Sequence, residues 1–167
     1  MAVTASSLLL AGLAIGWIYR QPHAFAAAGG WGYRTDNFPL RTPLYVGMSI
    51  EQRDAHGTVS IDAVRPHVLS DSSDAAISFY VCTVDETSGV GSIGAVRRGA
   101  VRDECSSLVP AEGASLDLNA EPRQQLVMAV SLGHAGRVHV AGVDVEYGQG
   151  WRRGTQRVGG DVVVRHR

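Results

Sequence analysis

Residues 89 to 94, Gly89-Val90-Gly91-Ser92-Ile93-Gly94, match the spacing G-x-G-x-x-G. In a dinucleotide site such glycines let the backbone approach a pyrophosphate and pass it to the N-terminus of the next helix. Here they run into Ala95 to Ala100, interrupted by Gly99, in surroundings that read as antiparallel β. A loop between strands is expected, with no cofactor. Cys82, Cys105, Met128, His134 and His139 include the ligand types of a blue-copper centre. Neither cysteine, however, has a histidine within ten residues, and His134 and His139 fall on opposite faces if one strand holds both. No metal is expected. Asp71-Ser72-Ser73-Asp74 offers carboxylates to a cation but lacks the glycine and distal glutamate of an EF-hand loop, so it reads as a polar turn. There is no G-x-S-x-G elbow, and neither cysteine has a local activating signature. The chain is read as non-catalytic.

Two features remain. Cys82 and Cys105 are the only cysteines, and an even pair behind an apolar leader predicts one disulfide closing the glycine-rich stretch from Thr83 to Glu104. Trp151, with Arg152 and Arg153, sits in the glycine-rich run Tyr147 to Gly154. Exposed, this group is a candidate binding surface, because Trp and Arg anchor many interfaces and stack on sugars or side chains. Folded back, Trp151 would cover the end of the domain.

The elements that must position these residues repeat with period two. Val59 and Ile61 alternate with Ser60 and Asp62; Ile77, Phe79 and Val81 alternate with Ser78, Tyr80 and Cys82. Leu126, Met128, Val130 and Leu132 interleave with Gln125, Val127, Ala129 and Ser131. Between Arg137 and Tyr147, Val138 and Val140 define one phase and Val143, Val145 and Tyr147 the other. The slip at Ala141-Gly142 predicts a β-bulge. With a first strand over Pro43 to Ser49 and a short last one over Val162 to Val164, about seven strands are expected. The stretch Gly148 to Gly160 reads as a turn, and Val96 to Ser107 satisfies neither period. The expected fold is all-β, an antiparallel immunoglobulin-like β-sandwich over 44–167, preceded by an N-terminal apolar helix.

Met1 to Tyr19 carries no charged side chain. Two readings of 1–26 stand. Leu8 to Ile18 is a signal-peptide core, with Ala24 and Ala26 forming an A-x-A cleavage site and the mature chain starting near Ala27. Alternatively, Ala2 to Tyr19 is an uncleaved anchor, about 18 residues against a hydrocarbon core of roughly 30 Å, with Trp17 and Tyr19 at the headgroups. Residues 27–43, with Gly29, Gly30, Gly32, Pro39 and Pro43 among Trp31, Tyr33 and Phe38, read as a linker.

The chain has 167 residues, enough beyond the leader for one domain of ordinary size. Its net charge of -1 supplies no basic excess, so nucleic acid is not an expected partner. All 15 basic residues are arginine, which suggests GC-rich coding. The apolar leader, the aromatic-glycine linker, the Cys82/Cys105 pair and the Val-rich tail Gly136 to Val164 together resemble the uncharacterised envelope-anchored β-sandwich proteins of actinobacteria. The resemblance is one of architecture over the whole chain and implies neither substrate nor catalytic residues. It points to an extracytoplasmic domain, membrane-tethered or secreted, acting as an envelope accessory or binding module for a protein or glycan. A small envelope enzyme with an unrecognised site is the alternative, which a pocket gathering His134 or His139 with a carboxylate and a serine would favour. A third reading, a domain facing the cytoplasm, predicts free thiols.

Overall fold

The computed structural model describes residues 24–25, 28–48 and 57–167. The apolar segment 1–23, for which a helix is expected, lies outside the described residues. Among those described, no helix is long and apolar enough to cross a membrane.

Ten strands are described: β1 (Gly32–Thr35), β2 (Leu44–Gly47), β3 (Thr58–Asp71), β4 (Ala76–Val84), β5 (Ala95–Arg97), β6 (Cys105–Pro110), β7 (Ser115–Asp117), β8 (Gln124–Ser131), β9 (Gly136–Gln149) and β10 (Arg152–His166). A single turn of 3-10 helix spans Glu86–Ser88, and one short helix, α1, spans Arg98–Glu104. The strands form two five-stranded sheets, ordered β1-β10-β9-β3-β7 and β5-β2-β8-β4-β6. The chain is thus all-β and sandwich-like, with the side chains of both sheets meeting in one core. Val59, Ile61, Val138, Val140, Val143, Val145 and Val162 come from the first sheet, and Leu44, Val81, Leu126, Met128 and Val130 from the second.

The strand count exceeds the expected seven because β1, β5 and β7 have only three or four residues, too few to show a period. β1 lies within the stretch read as a linker. It pairs with β10 in parallel, the one departure from antiparallel order among the described strands, while Trp31 and Tyr33 pack against the core. The segment read as a turn, Gly148 to Gly160, is mostly strand: β10 runs the whole length of β9, and only Gly150 and Trp151 connect them. β9 supplies a hydrogen-bonding template on both sides of a register shift at Gly159-Gly160, and where it pairs with β10 it outweighs the low strand propensity of Gly154.

The bulge expected at Ala141-Gly142 is present and propagates across the sheet. Between β9 and β3, Val143 pairs with Pro66 but Val140 pairs with Val68; between β9 and β10, Val143 pairs with Val158 but Ala141 pairs with Asp161. Gly142 has φ +78°, and a Cβ there would meet the Val158 carbonyl at 2.8 Å. The slip changes which phase faces inward, so Val138 and Val140 on one side and Val143, Val145 and Tyr147 on the other all enter the core.

β8 is buried on both faces, as a continuous apolar run demands. Leu126, Met128 and Val130 face the first sheet, whereas Val127 and Ala129 belong to a second cluster with Cys82, Val84, Ile93, Val101 and Cys105. That cluster is the underside of the segment between β4 and β6, which folds over the outer face of the second sheet. Gln125 pins it: its amide accepts from Ile93 N at 2.8 Å and donates to Ile93 O at 3.2 Å. Only glycine fits at Gly47 below, since a Cβ would stand 2.2 Å from the same amide.

Candidate functional site

The G-x-G-x-x-G segment is part of that cover. Gly89 ends the 3-10 turn in a left-handed conformation, Ile93 is buried, and Gly94 O accepts from Gly47 N at 2.9 Å. β5 follows, paired antiparallel to β2, and α1 begins only at Arg98. The helix that would receive a pyrophosphate directly after the glycines is therefore replaced by a strand.

Cys82 on β4 and Cys105 at the start of β6 form a disulfide, with Cα atoms 5.6 Å apart. It lies inside the second cluster and closes the base of the covering segment.

The carboxylate of Asp71 is occupied by its own turn: it accepts from Ser73 N, Ser73 Oγ and Ala75 N at 2.8 to 2.9 Å. Among the described residues no three His, Cys, Asp or Glu side chains gather as a metal set. His134 contacts the Ala135 carbonyl in a loop, and His139 on β9 pairs with Asp161 on β10 at 3.0 Å. Ser70 stands across the ladder from His139 without a hydrogen bond to it. These groups lie on the outer face of the first sheet, on the side of β9 opposite the core valines.

Desolvation favours the neutral form of Asp71, yet hydrogen bonds from Ser73 and Ala75, together with the charge of His134, hold its pKa below the ordinary 3.8. Asp144 is held low mainly by the hydrogen-bonding Arg157 guanidinium, against desolvation. A depressed carboxylate stabilises the fold above its unfolded pKa, and that stabilisation is lost as pH falls through the folded value. The melting temperature is therefore expected to hold above about pH 5 and to fall below about pH 4. Asp71→Asn should flatten part of that acid slope, as read by melting curves at constant ionic strength.

Trp151, Arg152 and Arg153 stand at the tip of the β9–β10 hairpin. Trp151 is 73% exposed, so it does not cover the sandwich end. The Arg152 guanidinium lies 5.4 Å from its ring centroid, within cation–π range, whereas Arg153 is tied to Asp62 on β3. The structure thus joins Trp151 to Arg152 and engages Arg153 elsewhere.

Just below this tip Ala24 and Phe25 are clamped. Tyr147, three residues before Gly150, is buried; its hydroxyl accepts from Ala24 N and donates to Gln156 Oε1, both at 2.9 Å. The Gln156 amide brackets Phe25, accepting from its N–H at 3.2 Å and donating to its carbonyl. The Phe25 ring meets Tyr147 edge-on at 5.0 Å. Sequence reasoning missed this clamp because its partners are separated by more than a hundred positions.

Two clefts flank the glycine-rich cover. One, of about 600 Å³, is lined by Glu86, Asn119, Glu121 and Arg123 with Val84 and Val90. The other, about 350 Å³ and more apolar, lies between Trp31 and Tyr33 on one side and Ile93 and Ala95 on the other. Neither lining contains a histidine or cysteine. No model of a known protein family, no curated protein sequence and no solved structure matches this chain.

Proposed function

We propose that this is a non-catalytic extracytoplasmic domain, immunoglobulin-like in outline, held at the membrane by its N-terminal segment and serving the cell envelope as an accessory or binding module. The observation that carries the reading is the clamp on Ala24 and Phe25. It holds Ala24, five positions beyond Tyr19 in the sequence, at the end of the domain that bears Trp151 and Arg152. A tip of one exposed tryptophan and a guanidinium beside an anchor suits the headgroup layer, where amphipathic rings and cations settle. The Cys82–Cys105 disulfide fits an oxidising compartment. Burial of Phe25 favours the tethered over the secreted form, since cleavage after Ala26 would remove a core side chain.

The test is the intact mass of the native protein from cell fractions, alkylated without reduction. A membrane-bound, full-length, unalkylated species is expected. A mass starting near Ala27 makes the domain a secreted module, and two alkylated thiols overturn the reading.

For the tip, Trp151→Ala is expected to change stability by no more than about 0.5 kcal/mol, because its ring is mostly in water. In reconstituted vesicles containing brominated phosphatidylglycerol, with Trp17 of the anchor first replaced by Phe, Trp151→Phe should remove the quenched component of the tryptophan emission. Unchanged quenching would place the tip away from the bilayer.

A further inference from the structure

At the other end of the hairpin the outer face of the first sheet carries a cluster of positive charge. Arg137 on β9 and Arg165 on β10 stand directly opposite each other in the ladder, and Arg34 on β1 lies beside Val163, one step along the same face. Together with Asp36 they line a hollow of about 120 Å³, with Val163 buried between them. Three guanidinium groups against one carboxylate leave an excess of two positive charges. Like charges directly across a ladder repel. Here none of the four side chains forms a hydrogen bond or ion pair with a described residue, and Arg137 Nε is buried without a partner. Asp161, two residues before Val163 on β10, is engaged by His139. The backbone beneath is fixed, because Arg137 N donates to Ser72 Oγ at 3.1 Å and Arg137 O accepts from Ser72 N at 2.8 Å.

A buried guanidinium nitrogen left unpaired is costly, and so is a repelling cross-strand pair; one bound oxyanion relieves both. We infer that Arg34, Arg137 and Arg165 form a binding site for a phosphate group carried by a soluble or polymeric ester on the water side of the domain. Three guanidiniums suit a tetrahedral anion with several acceptor oxygens better than a planar carboxylate. The water-side assignment rests on the proposed tethering. Arg137 lies twelve residues along β9 from Gln149, about 40 Å of strand away from the tip that would face the bilayer.

The experiment titrates the full chain with inorganic phosphate and with glycerol phosphate at constant ionic strength, following heat and melting temperature, beside Arg34→Gln, Arg137→Gln and Trp151→Ala. Saturable binding is expected for both anions, at least about tenfold weaker in either arginine variant and unchanged in Trp151→Ala. Without anion, Arg137→Gln should melt no lower than the parent, because the repulsion is gone, and only the parent should gain melting temperature from phosphate. Equal binding by Arg137→Gln, or heats no larger than those from chloride, overturn the site. Vesicles with and without phosphatidylglycerol supply the second arm. Equal recruitment of parent and Arg137→Gln is expected, and recruitment lost only in Arg137→Gln overturns the water-side source in favour of a lipid headgroup. Failure of the tethering reading alone would leave the phosphate titration intact.

Discussion

Replacing Cys82 and Cys105 together by serine is expected to cost about 3 kcal/mol and to lower the melting temperature by roughly 10 °C. The loop they close spans a separation of 23 residues, and its freedom in the unfolded chain is what the bond removes. The native state also suffers locally. Ile93 and Val101 reach the second cluster from the covering segment, and without it Val127 and Ala129 of β8 would face water. The double variant should therefore be cut by trypsin at Arg97, Arg98 or Arg102 well below its melting temperature, while the parent resists. Reduction of the parent should reproduce both effects. A loss under about 1 kcal/mol would mean that Gln125, with its two bonds to Ile93, and the apolar cluster hold the cover unaided.

That cover shows where a one-chain reading succeeds and where it stops. The disulfide was legible because two cysteines admit one pairing, and β4 was legible because Ile77, Phe79 and Val81 alternate over a long enough stretch. The phase slip at Gly142 was readable for the same reason: both flanks carry valines at period two, so the break in register has a position. Residues 96–107 satisfied no period because they contain three short elements in succession, β5, α1 and the start of β6. A seven-residue helix containing Gly99 has no room for an amphipathic stripe. The strand expected from sequence covers only the end of β10, because Gly148 to Gly160 looks like punctuation. Its glycines answer instead to neighbours: at Gly160 a Cβ would stand 2.2 Å from Trp31 O, where β1 arrives. Nothing local announces that approach. The candidate sites divide likewise, since Trp151 and Arg152 are adjacent in sequence and were found, whereas Arg34, Arg137 and Arg165 meet only once β1, β9 and β10 are laid side by side.

The clamp on the N-terminal segment gives the other large effect. Tyr147→Ala should destabilise the domain by about 3 to 5 kcal/mol, the usual cost of emptying a buried aromatic site. It removes the edge-on partner of Phe25 and leaves Ala24 N and Gln156 Oε1 short of one partner each. Tyr147→Phe keeps the ring and deletes only the hydroxyl, so a smaller loss of about 1 to 2 kcal/mol is expected. That pair separates packing from hydrogen bonding. If the ring holds Phe25 in place, chymotrypsin should cut after Phe25 quickly in Tyr147→Ala and slowly in Tyr147→Phe. If the hydroxyl is the main tether, both variants should be cut at similar rates while Tyr147→Ala still melts below Tyr147→Phe. Because Phe25 lies between the uncharged segment and the first sheet, the cutting rate also measures how firmly the domain is held at a fixed attitude to whatever its N-terminal segment enters. In the tethered protein, loosening Phe25 should weaken the Trp151 quenching in brominated vesicles even though the tip itself is unaltered.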